Sequence, residues 1–153
     1  MRNIKKLGLL GTGVIGGGWA ARALHVGIDV IATDINKNME DRLRDMVEIA
    51  SPSLNALTEG MNIPPKGQLT FTMDPIEMAE NCDFIQENVP EVLTIKRKAL
   101  APISDVTGAD VIISSSTSGF MPSELQNGMT YPERFVVGHP FNPVYLCPLI
   151  EVV

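Results

Sequence analysis

Aromatic side chains make up only 5% of the 153 residues, and cysteine and histidine occur only twice each. Cys82 and Cys147 stand far apart without metal-ligating neighbours, which excludes a disulfide framework and a cysteine-based metal site. They read as buried, reduced thiols of a cytoplasmic protein. Basic charge is scarce as well: 12 Lys and Arg against 18 Asp and Glu leave a net charge of -6. A chain of that sign offers no basic stripe for a phosphate backbone, so nucleic acid is not expected as a partner. Long apolar runs are also missing, and none approaches the length of a membrane span. The opening "MRNIKKLGLLGTG" has the basic-then-apolar order of a secretory signal. Its apolar run breaks into glycines without a small-x-small cleavage site, so a first strand fits better.

What is present suits one globular domain, since 44% hydrophobic content at this length can bury a single sizeable core. "KLGLLGTGVIGGGWAARALHVG" reads as a short apolar strand, a glycine turn and a helix, and "IDVIATD" as a second buried strand. Between positions 39 and 50, Met39, Leu43, Met46, Val47 and Ala50 share one helical face, with Pro52 expected to end or kink that helix. "TEGMNIPPKG" is a loop. "QLTFT", "CDFIQENV", "DVIISSS", "RFVVGH" and "PLIEVV" read as further strands, with helical segments near 75–80, 92–101 and 121–127. Apolar strands alternating with helices predict an α/β fold of Rossmann type, a doubly wound, mostly parallel sheet with helices on both faces.

"GTGVIG" supplies Gly11, Gly13 and Gly16 in the G-x-G-x-x-G spacing. The first glycine makes a tight turn, the second admits a pyrophosphate to the backbone, and the third allows close packing of the helix. The turn follows a strand, opens a helix, and is followed by Asp34 at the end of the second strand. A carboxylate there accepts hydrogen bonds from ribose hydroxyls and repels a 2′-phosphate, which predicts NAD over NADP. The same aspartate could instead serve as a turn or cap residue in "DINKN".

A nicotinamide cofactor calls for a base that removes a hydroxyl proton, and histidine suits neutral pH. His139 ends the strand "RFVVG", at the carboxyl edge where open α/β sheets bind ligands. Glu151 in the last strand could orient its imidazole, and "SSSTSG" brings hydroxyls to the same edge.

Together, "GTGVIG", "ENVPEVLTIK", "SSSTSG" and "GHPFNPVYLCPLIEVV" resemble the 3-hydroxyacyl-CoA dehydrogenase family, over essentially the whole chain as that family's N-terminal NAD-binding domain, residues 1–153. The resemblance implies His139 as catalytic base, Glu151 as its orienting carboxylate and Ser118 as a substrate-binding serine. It implies cofactor contacts from Gly11, Gly13, Val14, Ile15, Gly16, Asp34, Glu91, Lys96, Ser118 and Asn142. For Glu91 and Lys96, the start of a solvated helix at "PEVLTIK" is the competing explanation.

Within the family, "DFIQENVPE", "SSSTSGFMPSEL" and "GHPFNPVYLCPL" resemble members that oxidise free L-carnitine at its 3-hydroxyl. Acyl-CoA members usually carry asparagine where Ser116 stands and phenylalanine where Pro140 stands. Phe120, Phe141 and Tyr145 are the aromatics near the site; each could hold a quaternary ammonium or simply pack. A 3-hydroxyacyl-CoA, another small 3-hydroxy acid, or a noncatalytic NAD-binding role are the alternatives. The family pattern continues into a mainly helical domain that closes the cleft, adds a catalytic asparagine and carries a homodimer contact. The chain by itself is therefore expected to bind NAD with little dehydrogenase activity.

Overall fold

The computed structural model of the protein describes residues 3–153. Strands β1 (Lys6–Leu10), β2 (Asp29–Thr33), β3 (Leu69–Thr72), β4 (Phe84–Glu87), β5 (Ile112–Ser115), β6 (Phe135–Pro140) and β7 (Ile150–Val152) form one sheet in the order β3-β2-β1-β4-β5-β6-β7. All neighbours are parallel except β6 and β7, which are antiparallel. The order reverses between β1 and β4, and that crevice, outside the carboxyl ends of the strands, is where doubly wound folds bind ligands.

Two apolar layers hold the sheet. On one face, α1 (Val14–His25) and α2 (Met39–Leu57) bury Ala20, Leu24 and Leu43 against Leu9, Val30 and Ala32. On the other, α3 (Pro75–Glu80), α4 (Leu93–Val106) and α5 (Pro122–Leu125) bury Met78, Leu100, Ile103 and Leu125 against Ile85, Ile113 and Val137. The period-2 alternation of the strands sorts the site residues too. Glu87 and Ser115 share the α4 face with Ile85 and Ile113, while Gln86 and Ser114 turn the other way.

Two helices outrun the sequence expectation. α2 continues through Pro52 to Leu57, and α4 continues through Pro102 to Val106 instead of stopping near 101. Each proline lies on the solvent side, where water can take the freed carbonyl, and buried residues follow it: Leu54 in α2, Ile103 and Ser104 in α4. A proline in a helix interior costs about 3 kcal/mol. Burial of one large aliphatic side chain recovers about 1.5–3 kcal/mol of that.

Helices lie on both faces, as expected, but they do not cover the whole sheet. On the α1 side, the half of the sheet built from β4 to β7 carries no helix among the described residues. It forms an open apolar groove of about 500 Å³ lined by residues that include Trp19, Val26, Phe84, Val136, Ile150 and Val152. Of the two cysteines, Cys82 is buried as expected and Cys147 is only half-buried; neither is in a disulfide.

Candidate active site

The glycine turn joins β1 to α1 at the switch point. Gly11 has φ +91°, and a Cβ there would lie 2.9 Å from the Asn88 carbonyl carbon, so both the left-handed backbone and β4 demand glycine. A Cβ on Gly16 would meet the Gly11 carbonyl oxygen at 2.2 Å, so this glycine packs the helix onto the turn itself. A Cβ on Gly13 would meet nothing within 4 Å. That open space beside an exposed backbone is the cradle a pyrophosphate needs. Gly13 is also the N-cap of α1, with no side chain capping the helix, so the first-turn N–H groups around Val14, Ile15 and Gly16 stay available to an anion.

Asp34, at the end of β2, ties itself to that turn. Its Oδ2 accepts from the Thr12 amide and the Thr12 hydroxyl, each at 2.9 Å, while Oδ1 takes only a long 3.3 Å contact from the Asn36 amide. Asp34 thus braces the glycine turn through Oδ2, and its Oδ1 contact with Asn36 is the local turn bond expected of an aspartate in "DINKN". Thr12, fully buried, was not legible as a site residue, because its partner lies 22 positions away.

Glu91, Lys96 and Ser118 come together across the ends of β4 and β5. Lys96 is buried, with only 1% of its side chain exposed, and its ammonium reaches Glu87 Oε1 at 2.8 Å, Glu87 Oε2 at 3.1 Å, the Val89 carbonyl at 3.1 Å and Glu91 Oε2 at 3.2 Å. Glu91 Oε1 accepts from the Ser118 amide at 3.1 Å, the Gly119 amide at 3.2 Å and the Thr117 hydroxyl. Partial burial pulls the Glu91 carboxyl upward, but the hydrogen bonds from Thr117 and Lys96 outweigh it and hold the group below the usual carboxylate range. Burial pushes the Glu87 carboxyl up, against the opposing pull of the Lys96 ammonium. Ser118 itself is exposed at the rim. Glu87, which has no exposed surface, is a residue that sequence reasoning missed. The signal available was its place in the "ENVPE" segment, four positions before Glu91, at a strand end that otherwise looked like plain core.

His139 and Glu151 meet because β6 and β7 are antiparallel and pair them directly in register. The His139 Nδ1 lies 2.9 Å from Glu151 Oε2. The Phe141 ring stands 5.7 Å from the imidazole, tilted by 60°, and is 37% exposed. Phe120 packs against the core on the α4 face, and Tyr145 packs beneath α1 and α2, so of the three aromatics Phe141 is the one left facing outward beside the histidine. Asn142 is exposed just beyond β6, and no contact draws it into the other clusters in this structure.

Gln86 links the two halves of the site. Its side-chain amide donates to the Gly138 carbonyl at 3.0 Å and to the Ser116 hydroxyl at 2.7 Å, and Ser116 donates to Asn88 Oδ1 at 2.7 Å. The Asn88 amide in turn donates to the Gly11 carbonyl at 3.4 Å. A side-chain chain thus runs from the glycine turn to the residue preceding His139.

A glycine turn with an acidic residue at the end of the second strand, at the switch point of a parallel sheet, defines a dinucleotide-binding domain of Rossmann type. The chain belongs to the 3-hydroxyacyl-CoA dehydrogenase family: residues 6–153 match the family described as 3-hydroxyacyl-CoA dehydrogenase, NAD binding domain. It is 50% identical over 153 residues to an L-carnitine dehydrogenase of Bacillus cereus, covering 99% of this chain and 46% of that protein. It is 49% identical over 152 residues to an L-carnitine dehydrogenase of Pseudomonas putida, covering 98% of this chain and 46% of that one. The chain thus spans about half the length of these curated relatives. Among solved structures, an NAD+-dependent 5-formyl-3-hydroxy-2-methylpyridine 4-carboxylic acid 5-dehydrogenase superposes with TM-score 0.88 at 36% identity, over 98% of this chain and 48% of that one. NAD is the cofactor of this family domain, and the open cradle at Gly13, the uncapped helix and the Asp34 carboxylate, whose Oδ1 is held only by the Asn36 amide at 3.3 Å, fit it.

Proposed function

We propose that this chain serves an oxidoreductase that oxidises the 3-hydroxyl of L-carnitine to the ketone, with His139 as general base. The observation that carries the chemistry is the 2.9 Å contact between His139 Nδ1 and Glu151 Oε2. With Nδ1–H donated to the carboxylate, the lone pair of the neutral imidazole lies on Nε2, the nitrogen free to meet a substrate hydroxyl. His139 takes the hydroxyl proton at Nε2, and Glu151 stabilises the imidazolium that forms. Ser118, at the rim beside Glu91, would hold the substrate hydroxyl or the carboxamide edge of the cofactor. NAD, when bound, accepts the hydride from the same carbon. Gly13, the first turn of α1 and Asp34 bind its phosphates and ribose, and Glu91, Lys96 and Asn142 belong to the same cofactor edge in this reading.

Support for carnitine comes from the two L-carnitine dehydrogenases at 50% and 49% identity and from Pro140 and Ser116 in place of the acyl-CoA pattern. Phe141 offers an exposed aromatic face beside the base, suited to a quaternary ammonium at about 0.5–2 kcal/mol. A second, helical domain, a homodimer and a cytoplasmic location complete the reading, with the relatives' greater length and the two cysteines outside any disulfide as their support.

The test is NADH formation by a form extended to the relatives' full length, given L-carnitine, a 3-hydroxyacyl-CoA, or neither. Turnover with L-carnitine and none with the thioester is expected. Turnover with the thioester alone would replace the substrate assignment by the acyl-CoA one, and turnover with neither would favour a noncatalytic NAD-binding role.

A further inference from the structure

Lys96 is a buried cation shared by two carboxylates that differ sharply in exposure. Glu87 is fully buried, whereas 44% of the Glu91 side chain is open to solvent. A buried ion pair adds little stability over apolar residues of the same shape, because desolvation cancels most of the Coulomb gain. Its presence at the end of β4 therefore calls for a task other than holding the core.

The hydrogen bonds indicate the task. Glu87 is fixed from three sides, by the Lys96 ammonium, by the Val89 amide at 2.6 Å and by the Ser115 hydroxyl. Lys96 so anchored presents its remaining donor capacity to Glu91 Oε2, and Glu91 uses its other oxygen on Thr117, Ser118 and Gly119. A rigid, buried carboxylate thus fixes a lysine, the lysine fixes a half-exposed carboxylate, and that carboxylate sets the loop that carries Ser118.

We propose that Glu87 is a positioning residue of the cofactor site, acting through Lys96 on Glu91 and the Thr117–Gly119 loop. Lys96 then serves NAD mainly by holding Glu91, since only 1% of its side chain is exposed. The proposal rests on NAD binding by this family domain and not on the choice of substrate.

Glu87→Gln keeps the shape and an acceptor but removes the charge, leaving Lys96 with Glu91 as its one carboxylate. The charged groups on Lys96 are Glu87 from β4 and Glu91 from the loop before α4. From β5 and the loop after it come the hydroxyls of Ser115 and Thr117, which bond those carboxylates. With only one carboxylate left to hold it, the Lys96 ammonium is less firmly fixed, its contact with Glu91 Oε2 slackens, and the loop loosens.

The experiment is calorimetric titration of the 153-residue chain with NAD at neutral pH, for the unsubstituted protein, E87Q, K96M and E87Q/K96M, with thermal unfolding of each. E87Q should weaken NAD binding roughly tenfold at neutral pH, the scale of one charge-assisted hydrogen bond. On the K96M background the second substitution should change affinity less than about twofold, the usual limit of non-interacting noise in such cycles. Unchanged affinity in E87Q would overturn the proposal, as would an E87Q effect that persists undiminished without Lys96. If E87Q alone does not fold, E87Q/K96M removes both charges together and still decides: an affinity matching K96M supports the relay, and a much weaker one overturns it. Failure of the unsubstituted chain to bind NAD would remove the premise and the proposal with it, whereas carnitine turnover bears on neither.

Discussion

His139 and Glu151 are partners across the antiparallel β6–β7 pair, joined at 2.9 Å between Nδ1 and Oε2. In the full-length protein His139→Asn should lower turnover about a hundred- to ten-thousand-fold, the usual loss for a general base, with NAD affinity nearly unchanged. Glu151→Gln retains an acceptor for Nδ1–H and should cost less turnover than Glu151→Ala, which removes it. Steady-state kinetics beside NAD titration checks both, and near-normal turnover in His139→Asn would place the base elsewhere.

Asp34 holds the Thr12 amide and hydroxyl of the glycine turn and is the proposed ribose partner. Asp34→Ala should weaken NAD by about 1–3 kcal/mol, the range for hydrogen bonds to a charged group. The unsubstituted chain should prefer NAD strongly over NADP, because a 2′-phosphate meets a carboxylate. Calorimetry with both cofactors tests this, and equal affinities would remove Asp34 from the ribose site.

Gly13 and Gly16 should separate binding from folding. A Cβ at Gly13 meets open space, so Gly13→Ala should leave the melting temperature unchanged or higher while NAD affinity falls more than about tenfold. A Cβ at Gly16 would overlap the Gly11 carbonyl at 2.2 Å, so Gly16→Ala should destabilise the fold by on the order of 1–3 kcal/mol. If Gly13→Ala bound NAD normally, the cradle would lie elsewhere.

His25 gives the fold an acid sensitivity. Its Nε2 donates to the Thr58 hydroxyl at 2.9 Å, since that hydroxyl gives its own proton to the Leu54 carbonyl, and Nδ1 is buried without a partner. Burial, with Lys66 and Arg22 nearby, lowers the imidazole below its ordinary value. The unfolded chain then takes up this proton before the folded one, so the contribution of His25 is complete above about pH 6.5 and is lost as pH falls below it. His25→Gln should flatten the dependence of the melting temperature on pH in that range. An identical slope in both proteins would exclude His25 as its source.

Much of the architecture was legible because it is written locally. Short apolar runs marked all seven strands, and the glycine spacing followed by Asp34 marked the dinucleotide turn, since each is a property of a few adjacent residues. Of the two outcomes expected at Pro52, ending or kinking the helix, the sequence could not choose: proline is a helix breaker until buried neighbours such as Leu54 outweigh its cost, and α2 runs on to Leu57. Phe120, Phe141 and Tyr145 could not be told apart as binding or packing residues, because only the layering of helices decides which ring is left outside.

By itself, then, the sequence determined a parallel α/β sheet, a glycine cradle for NAD and the residue types of the chemistry, because backbone conformation and amphipathic period depend on near neighbours. The tertiary structure decided which of those residues meet. Antiparallel register sets Glu151 on His139 across 12 positions, and the α4 face of the sheet encloses Glu87 and Lys96 in one buried pair. It also leaves the α1 side of β4–β7 as an apolar groove. Such pairings follow from strand order and helix placement, which are settled by the packing of the whole core and by no single segment.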